Sequence, residues 1–350
     1  MIMQMRVTGG SASVSVGIVG ASGYTGAELL RLAAQHPNFE VRVATGDSMA
    51  GQRAGDLYPS LAIAYPELVF EPFDIDAVDG LDLVFLGLPH DVSMELVPQL
   101  VGKVGCVVDL SAAFRIADAA AYPEFYGFEH TQPELLAEAV FGLPEFHRTE
   151  LKGARLVATP GCHVTTATLA LRPLVAAGLI ETTGIVVDTM TGVTGAGRAP
   201  SDTNVFANID SNVTAYGLHH HRHTPEMEQE IGAQVLFTPH LVPMSRGLLA
   251  TTYSKPAISV TTDALLGALR GFYSDAPFVA VIEKPPETKS LLGSNGVHVS
   301  ASYDSRTGTV IAMAALDNLT KGASGGAVHA ANIALGLAET AGLDTIGLRP

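Results

Sequence analysis

The sequence predicts a two-domain α/β protein: a doubly wound parallel sheet first, then an α+β unit on a mixed sheet. Three observations predict it. At 350 residues, 47% hydrophobic with 36 glycines, the chain is long enough for two cores and too apolar for disorder. The first half repeats one unit, an apolar strand leading through a turn into a helical stretch. The second half carries a series of apolar strands, Gly184 to Thr189, Gln234 to Thr238, Leu248 to Tyr253, Phe278 to Ile282, Val297 to Ser302 and Val310 to Leu316. That series suggests a mixed sheet with one face on helices.

Charge and cysteine usage narrow the function. A formal net charge of −15 argues against a nucleic-acid partner, so cations for an anionic ligand must be local. Two cysteines, Cys106 and Cys162, are no disulfide framework. With no secretory pattern and no long apolar span, the expectation is a cytoplasmic protein with no membrane partner. Residues 1–13, rich in Met, Ser and Gly, read as a frayed leader.

The first strand, Val14 to Val19, runs into Gly20-Ala21-Ser22-Gly23-Tyr24-Thr25-Gly26 and a helix from Ala27 to Gln35. Glycines three apart let the backbone turn tightly and approach a pyrophosphate on the helix N-terminus, so Gly20, Ser22, Gly23, Tyr24, Thr25 and Gly26 are candidate cofactor residues. A merely structural turn is the weaker alternative. The second strand, Glu40 to Thr45, is followed by Asp47, which speaks for NAD, and by Thr45, Ser48 and Arg53, which can hold a 2′-phosphate. Cofactor preference stays open on these residues.

The strand Leu81 to Gly87 ends in Leu88-Pro89-His90 ahead of a helix, and in a doubly wound sheet that end faces the ligand crevice. Leu88 and Pro89 therefore join the cofactor candidates. Val104 to Leu110 repeats the pattern and ends at Ser111 to Arg115. Arg115 is either a solvated surface charge or an anion clamp.

Arg155 to Thr159 then leads through Pro160-Gly161-Cys162 into a helix reaching Ala177. A thiol at a helix N-terminus faces free N–H groups and the positive dipole end, which favours the nucleophilic thiolate. An inert buried cysteine is the alternative, and the turn alone does not decide. After the strand Gly184 to Thr189, glycines at 192, 195 and 197 and the cation Arg198 make either an anion site or a flexible connection.

His219 to His223 precede Thr224-Pro225-Glu226, where Thr224 reads as N-cap and Pro225 as the first helical residue. Without cysteine partners or His-Glu-x-x-His spacing, no metal is expected, and general acid/base work beside the thiol is the sharper reading. Surface histidines capping a helix account for some of them. Phe237 to Pro243 and Leu248 to Tyr253 read as a strand pair around the polar turn Met244 to Gly247. A last strand, Ala312 to Leu316, passes through Asp317 to Gly326 into an apolar helix to Leu337. Returning to the first domain, that helix brings Asn318 near the cofactor.

Taken together, these segments resemble the N-acetyl-γ-glutamyl-phosphate reductase family, within the aspartate-semialdehyde dehydrogenase and glyceraldehyde-3-phosphate dehydrogenase-like superfamily. The resemblance spans nearly the whole chain. It rests on Gly20 to Gly26 (GASGYTG), Leu88 to His90, Asp109 to Arg115 (DLSAAFR), Phe141 to Glu145 (FGLPE), Pro160 to Cys162, Gly195 to Arg198 (GAGR), His221 to Glu226 (HRHTPE), Ser245 to Gly247 and Asp317 to Gly322 (DNLTKG). It implies a Rossmann-type nucleotide domain plus an α+β catalytic and oligomerisation domain, NADP(H) as cofactor, Cys162 as acylated nucleophile, and His221 or His223 as proton relay.

The chain departs from the family's usual pattern at Ala113, where Asp is common, and at Phe141, where Tyr is usual. His163-Val164 stands for Tyr-Pro, histidines precede His221 in place of Gly, and Gly326 stands where Gln is frequent.

The resulting expectations are specific. Cys162 attacks an acyl phosphate to give a thioester, hydride reduces it, His221 serves in preference to His223, and backbone donors near Gly161 and Cys162 hold the oxyanion. Arg115 and Arg198 meet the substrate's phosphate or carboxylate, with Ser111, Gly195, Glu226 and Arg246 as further substrate candidates. Residues 14–161 and 322–350 form the dinucleotide domain and 162–321 the catalytic one. The apolar sheet face left over implies a homodimer or homotetramer. Two other readings remain: reduction of a carrier-bound aminoadipyl phosphate in lysine biosynthesis, and a non-catalytic NADP-binding redox sensor.

Overall fold

The computed structural model describes residues 13–349, so the leader read at residues 1–13 lies, Ser13 apart, outside the described residues. Six strands form the first sheet: β1 (Val14–Val19), β2 (Phe39–Ala44), β3 (Leu83–Leu86), β4 (Cys106–Asp109), β5 (Val140–Phe141) and β6 (Leu156–Ala158). Their order is β2-β1-β3-β4-β6-β5, and every neighbouring pair is parallel. Strand order reverses between β1 and β3, which opens a crevice at their carboxyl ends.

Helices α1 (Tyr24–Gln35), α2 (His90–Leu100) and α3 (Pro144–Leu151) follow β1, β3 and β5. Helix α1 starts at Tyr24, ahead of the expected Ala27, because extended Gly23 caps it and Gly26 already packs as a helical residue on Ala21. A Cβ on Gly26 would overlap the Ala21 backbone. At Gly20, φ is +85° and a Cβ would overlap the Gly87 carbonyl, so both glycines answer a steric requirement.

The second sheet holds β7 (Ile185–Thr191), β8 (Thr214–Ala215), β9 (Val235–Leu241), β10 (Leu248–Ser254), β11 (Val279–Val281), β12 (Val297–Asp304) and β13 (Thr309–Leu316). Its order is β11-β12-β13-β10-β7-β9-β8, mixed as expected. One correction concerns β9 and β10, read as a hairpin pair. They do not pair, because β7 lies between them and the polar turn wraps over its end: Gly192 N–H donates to Gly247 O and Val193 N–H to Met244 O.

Helices α4 (Cys162–Ala176), α5 (Thr224–Ile231) and α6 (Thr262–Phe272) pack with the second sheet around one core, which includes Leu169, Leu174, Met227, Leu265 and Val299. On the opposite face Met190, Leu236 and Tyr253 stand exposed. After β13 a π-helical turn, Thr320–Ser324, leads into α7 (Gly325–Ala334). Small residues let α7 bury completely in the core that holds Val16, Ile18 and Phe85. Behind it, fully buried Lys321 donates to Glu145 at 2.6 Å, tying the turn to α3. Among the described residues no helix is long and apolar enough to cross a membrane.

Candidate active site

Cys162 is the first residue of α4, and its partly exposed side chain lines two cavities at once. One, about 280 Å³, opens toward Gly23, Tyr24 and Asn318; the other, about 710 Å³, runs between the histidines and Asn208, Asn212 and Tyr216. The thiol is not the poised thiolate expected from its helix end. Burial pushes it up to about 11, reinforced by the Glu226 carboxylate, while the N–H groups of His163 and Cys162 and the Arg115 charge pull the other way. Desolvation outweighs the helix terminus here.

Three imidazoles surround the thiol's turn. His221 and His223 have ring centroids 4.8 Å apart, and His163 lies 5.6 and 5.5 Å from them. Phe237 packs edge-on against His163 and His221. Burial is the main cause that lowers each: His163 to about 3, His221 to about 4, and His223 well below the ordinary value, with Arg222 contributing to all three.

His223, rather than Thr224, is the residue before α5; the helix begins at Thr224 with Pro225 in its first turn, since His223 already has helical φ/ψ. The His223 ring lies against Gly161, where any Cβ would overlap it. His163 is a residue that sequence reasoning noted as a departure without placing in the site; the only available signal was its adjacency to Cys162.

The arginines divide by what holds them. Arg115 is 7% exposed, donates Nη1 to Glu226 at 3.1 Å and Nη2 to the Leu110 carbonyl at 2.7 Å, and so is not a surface charge. Glu226 is fully buried and its other oxygen accepts the Gly161 N–H at 3.2 Å. That N–H is therefore consumed, and buried Glu226 holds the turn.

Arg198 lines the smaller cavity, makes no ion pair or hydrogen bond among the described residues, and keeps a buried, unpartnered Nε. Arg222, embedded in the histidine run and missed as a site residue, lines both cavities and reaches across to His90, Nη1 to Nε2 2.8 Å. Gly195 also lines both.

Two substrate candidates fall away from the cavities. Arg246 gives all its guanidinium nitrogens to carboxylates, to Glu28 at 2.9 and 3.1 Å and to Asp317 at 3.1 and 3.2 Å, linking α1 to the second sheet. Ser111 donates its hydroxyl to buried Asp109 at 2.7 Å and shapes the turn after β4.

At the cofactor end, α1 has no side-chain cap and no acidic residue in its first turn. Its N–H groups thus lack an anion of their own, and a Cβ on Gly23 would meet nothing nearer than Gly20 O at 3.5 Å. Gly23, Tyr24, Thr25 and Asn318 line the crevice. Asn318 is itself held, accepting Gly247 N–H at 2.7 Å and donating to Thr194 Oγ1 at 3.0 Å.

The other candidates brace this loop or lie beside it. Thr45 Oγ1 accepts the Gly20 N–H at 3.2 Å, and the Ser22 carbonyl accepts the Tyr58 hydroxyl at 2.8 Å. Ser48 and Asp47 are exposed, and Arg53 pairs with Glu67. Leu88 is half-buried and Pro89 caps α2, while the next residue, His90, reaches the crevice.

Residues 15–154 match the family described as semialdehyde dehydrogenase, NAD binding domain, and residues 162–318 that described as semialdehyde dehydrogenase, dimerisation domain. The chain is 45% identical to the N-acetyl-gamma-glutamyl-phosphate reductase of Desulforudis audaxviator, over 96% of this chain and 100% of that one. It is 44% identical to the protein of the same name from Symbiobacterium thermophilum, over 96% and 99%. Two solved structures share the fold. Aspartate semialdehyde dehydrogenase II of Vibrio cholerae, complexed with ASA, superposes with a TM-score of 0.69 at 17% identity, covering 93% of this chain and 99% of that one. Aspartate semialdehyde dehydrogenase with NADP from Candida albicans gives 0.68 at 17%, covering 92% and 98%.

Proposed function

The chain belongs to the N-acetyl-gamma-glutamyl-phosphate reductase family, and from that premise we propose how its own residues carry the reaction. It reduces N-acetyl-γ-glutamyl phosphate to N-acetylglutamate 5-semialdehyde with NADPH, releasing phosphate, in arginine biosynthesis. The observation that carries the reading is Cys162 itself, standing where the cofactor-side and substrate-side cavities meet.

The uncapped α1 terminus and the open space at Gly23 fit a dinucleotide, which Gly23, Tyr24, Thr25 and Asn318 would hold. NADPH bound there supplies the hydride.

Cys162 Sγ attacks the acyl carbon, the carbon–oxygen bond to phosphate breaks, and a thioester forms. Burial raises the pKa of the thiol and lowers the basicity of the imidazoles, so the thiol's proton must leave as substrate arrives. Arg222 helps to hold His221 down. An anionic phosphate between Arg198 and Arg222 offsets that repulsion, and His221 becomes basic enough to accept the proton. His221 is assigned because both imidazoles line the larger cavity but His223 is buried and wedged against Gly161, whereas His221 is partly exposed. After hydride addition the alkoxide collapses, the carbon–sulfur bond breaks, the aldehyde leaves, and Cys162 regains its proton from the imidazole. Arg115, its charge shared with Glu226, holds the turn that aims the thiol.

The domain division at 14–161 with 322–350, against 162–321, is supported by α7 burying among the first sheet's core residues. The dimerisation-domain match and the exposed Met190, Leu236 and Tyr253 support burial of the second sheet's outer face in a homodimer or homotetramer. Two free cysteines fit a cytoplasmic setting. The deciding experiment runs the reaction backwards: NADPH should form only when N-acetylglutamate semialdehyde, phosphate and NADP are all present. Absence of turnover with the complete mixture would refute the assignment.

A further inference from the structure

We propose that His163, His221 and His223 form a binding site for a borderline divalent transition metal, Zn²⁺ first among them, whose occupation closes the active site. The closing effect rests on His221 being the proton carrier; the binding does not. One nitrogen from each imidazole lies within 4.8 Å of the others. Nitrogens arranged tetrahedrally at about 2.1 Å from zinc stand roughly 3.4 Å apart, so side-chain shifts on the order of 1 Å assemble the site.

Independent features of the three rings support a ligand. His223 is 8% exposed, and its Nδ1 is buried with no hydrogen-bond partner among the described residues, a group that calls for one. His163 is oriented from behind by a 2.8 Å bond between Nδ1 and Thr189 Oγ1, the outer contact that fixes metal-ligating imidazoles. Its Nε2 faces the Tyr216 hydroxyl at 3.0 Å, on a residue of the cavity wall that ligation must displace. His221 accepts the His223 N–H at Nδ1, 3.1 Å. Ligation through its Nε2 moves a proton to Nδ1 and loses that bond, which weakens the site.

The donor set selects the cation. Three imidazoles with no carboxylate suit zinc, nickel, cobalt or copper and not calcium or magnesium. Only the first turn of α4 and the approach to α5 are involved, so the metal bridges the two segments that flank Cys162. A bound ion occupies the His221 lone pair, so that imidazole can no longer take the thiol's proton.

The test uses the full chain carrying Cys162→Ser, so that the thiol beside the histidines cannot bind the metal, in equilibrium dialysis against Zn²⁺ alone; the other cysteine, Cys106, is buried. One zinc per chain is expected, and His163→Phe in that background should weaken binding at least about tenfold. Unchanged affinity in the His163→Phe protein, checked for folding by NADPH binding, overturns the site. Should that variant not fold, Co²⁺ on Cys162→Ser decides: intense visible bands of four- or five-coordinate cobalt support it, and the weak spectrum of octahedral cobalt overturns it. Stoichiometric zinc on the wild-type enzyme with turnover undiminished would overturn the closing effect and the His221 assignment while leaving the site.

Discussion

The turns after β1 and after β6 are built alike, yet they present opposite electrostatics to the same crevice. Each passes from a parallel strand through a glycine N-cap into a helix with no side-chain cap and no acid in its first turn. At α1 the free N–H groups meet open space. At α4 the Gly161 N–H is claimed by buried Glu226, and burial lifts the adjacent thiol to about 11. A helix terminus is an anion site only where no other chain segment reaches it first.

The largest expected effect separates the two turns outright. Cys162→Ser should lower turnover by at least about 10³-fold while NADPH binding, read by fluorescence, stays at the wild-type value. Retained activity would mean that the second turn is not the nucleophile's.

Damage to the first turn should do the reverse. Gly20→Ala forces a side chain into a φ of +85° against the Gly87 carbonyl. The KM for NADPH should rise on the order of 100-fold, while the alkylation rate of Cys162 changes little; loss of thiol reactivity in step with cofactor binding would show the turns to be coupled.

A smaller effect belongs to the cations between them. Arg198 has no partner to lose among the described residues, so Arg198→Ala should raise the KM for phosphate in the reverse reaction roughly tenfold and leave the melting temperature in place. A cooperative destabilisation would instead assign it a structural role.

The subtlest test addresses the thiol's charge. Because its ionisation is raised, iodoacetamide alkylation of the free enzyme should keep climbing with pH toward about 11. Glu226→Gln removes a charge that disfavours the thiolate, so the same profile should move to lower pH, at a stability cost of about 3 kcal/mol from the unbalanced Arg115. A profile that already levels near neutrality in the wild type would restore the thiolate expected from the helix end.

Local pattern made much of this legible in advance. Val14 to Val19 is the first strand to the residue, since a β-branched run against a glycine turn has few other uses. Cys162 lines both cavities, Gly23 and Arg198 line the smaller one, and of the run's histidines only His221 and His223 reach either. Ser111 and Arg246 were misread as substrate contacts, because their partners, Asp109 and the Glu28–Asp317 pair, are chosen by packing. Arg222 was hidden inside a run that drew attention to its histidines, and its place on both cavities and its reach to His90 reveal it.

By itself, then, the sequence determined the alternation of strands and helices, the two glycine-led turns and the kinds of chemical group available to them, because these depend on backbone conformation and short-range periodicity. The tertiary structure alone decided that Arg115 is paired, that the Gly161 N–H is spent on Glu226, that His163 joins two distant histidines, and that burial raises the pKa of the thiol. Ionisation follows desolvation and the charges brought near by the fold, and those are set by residues far apart along the chain.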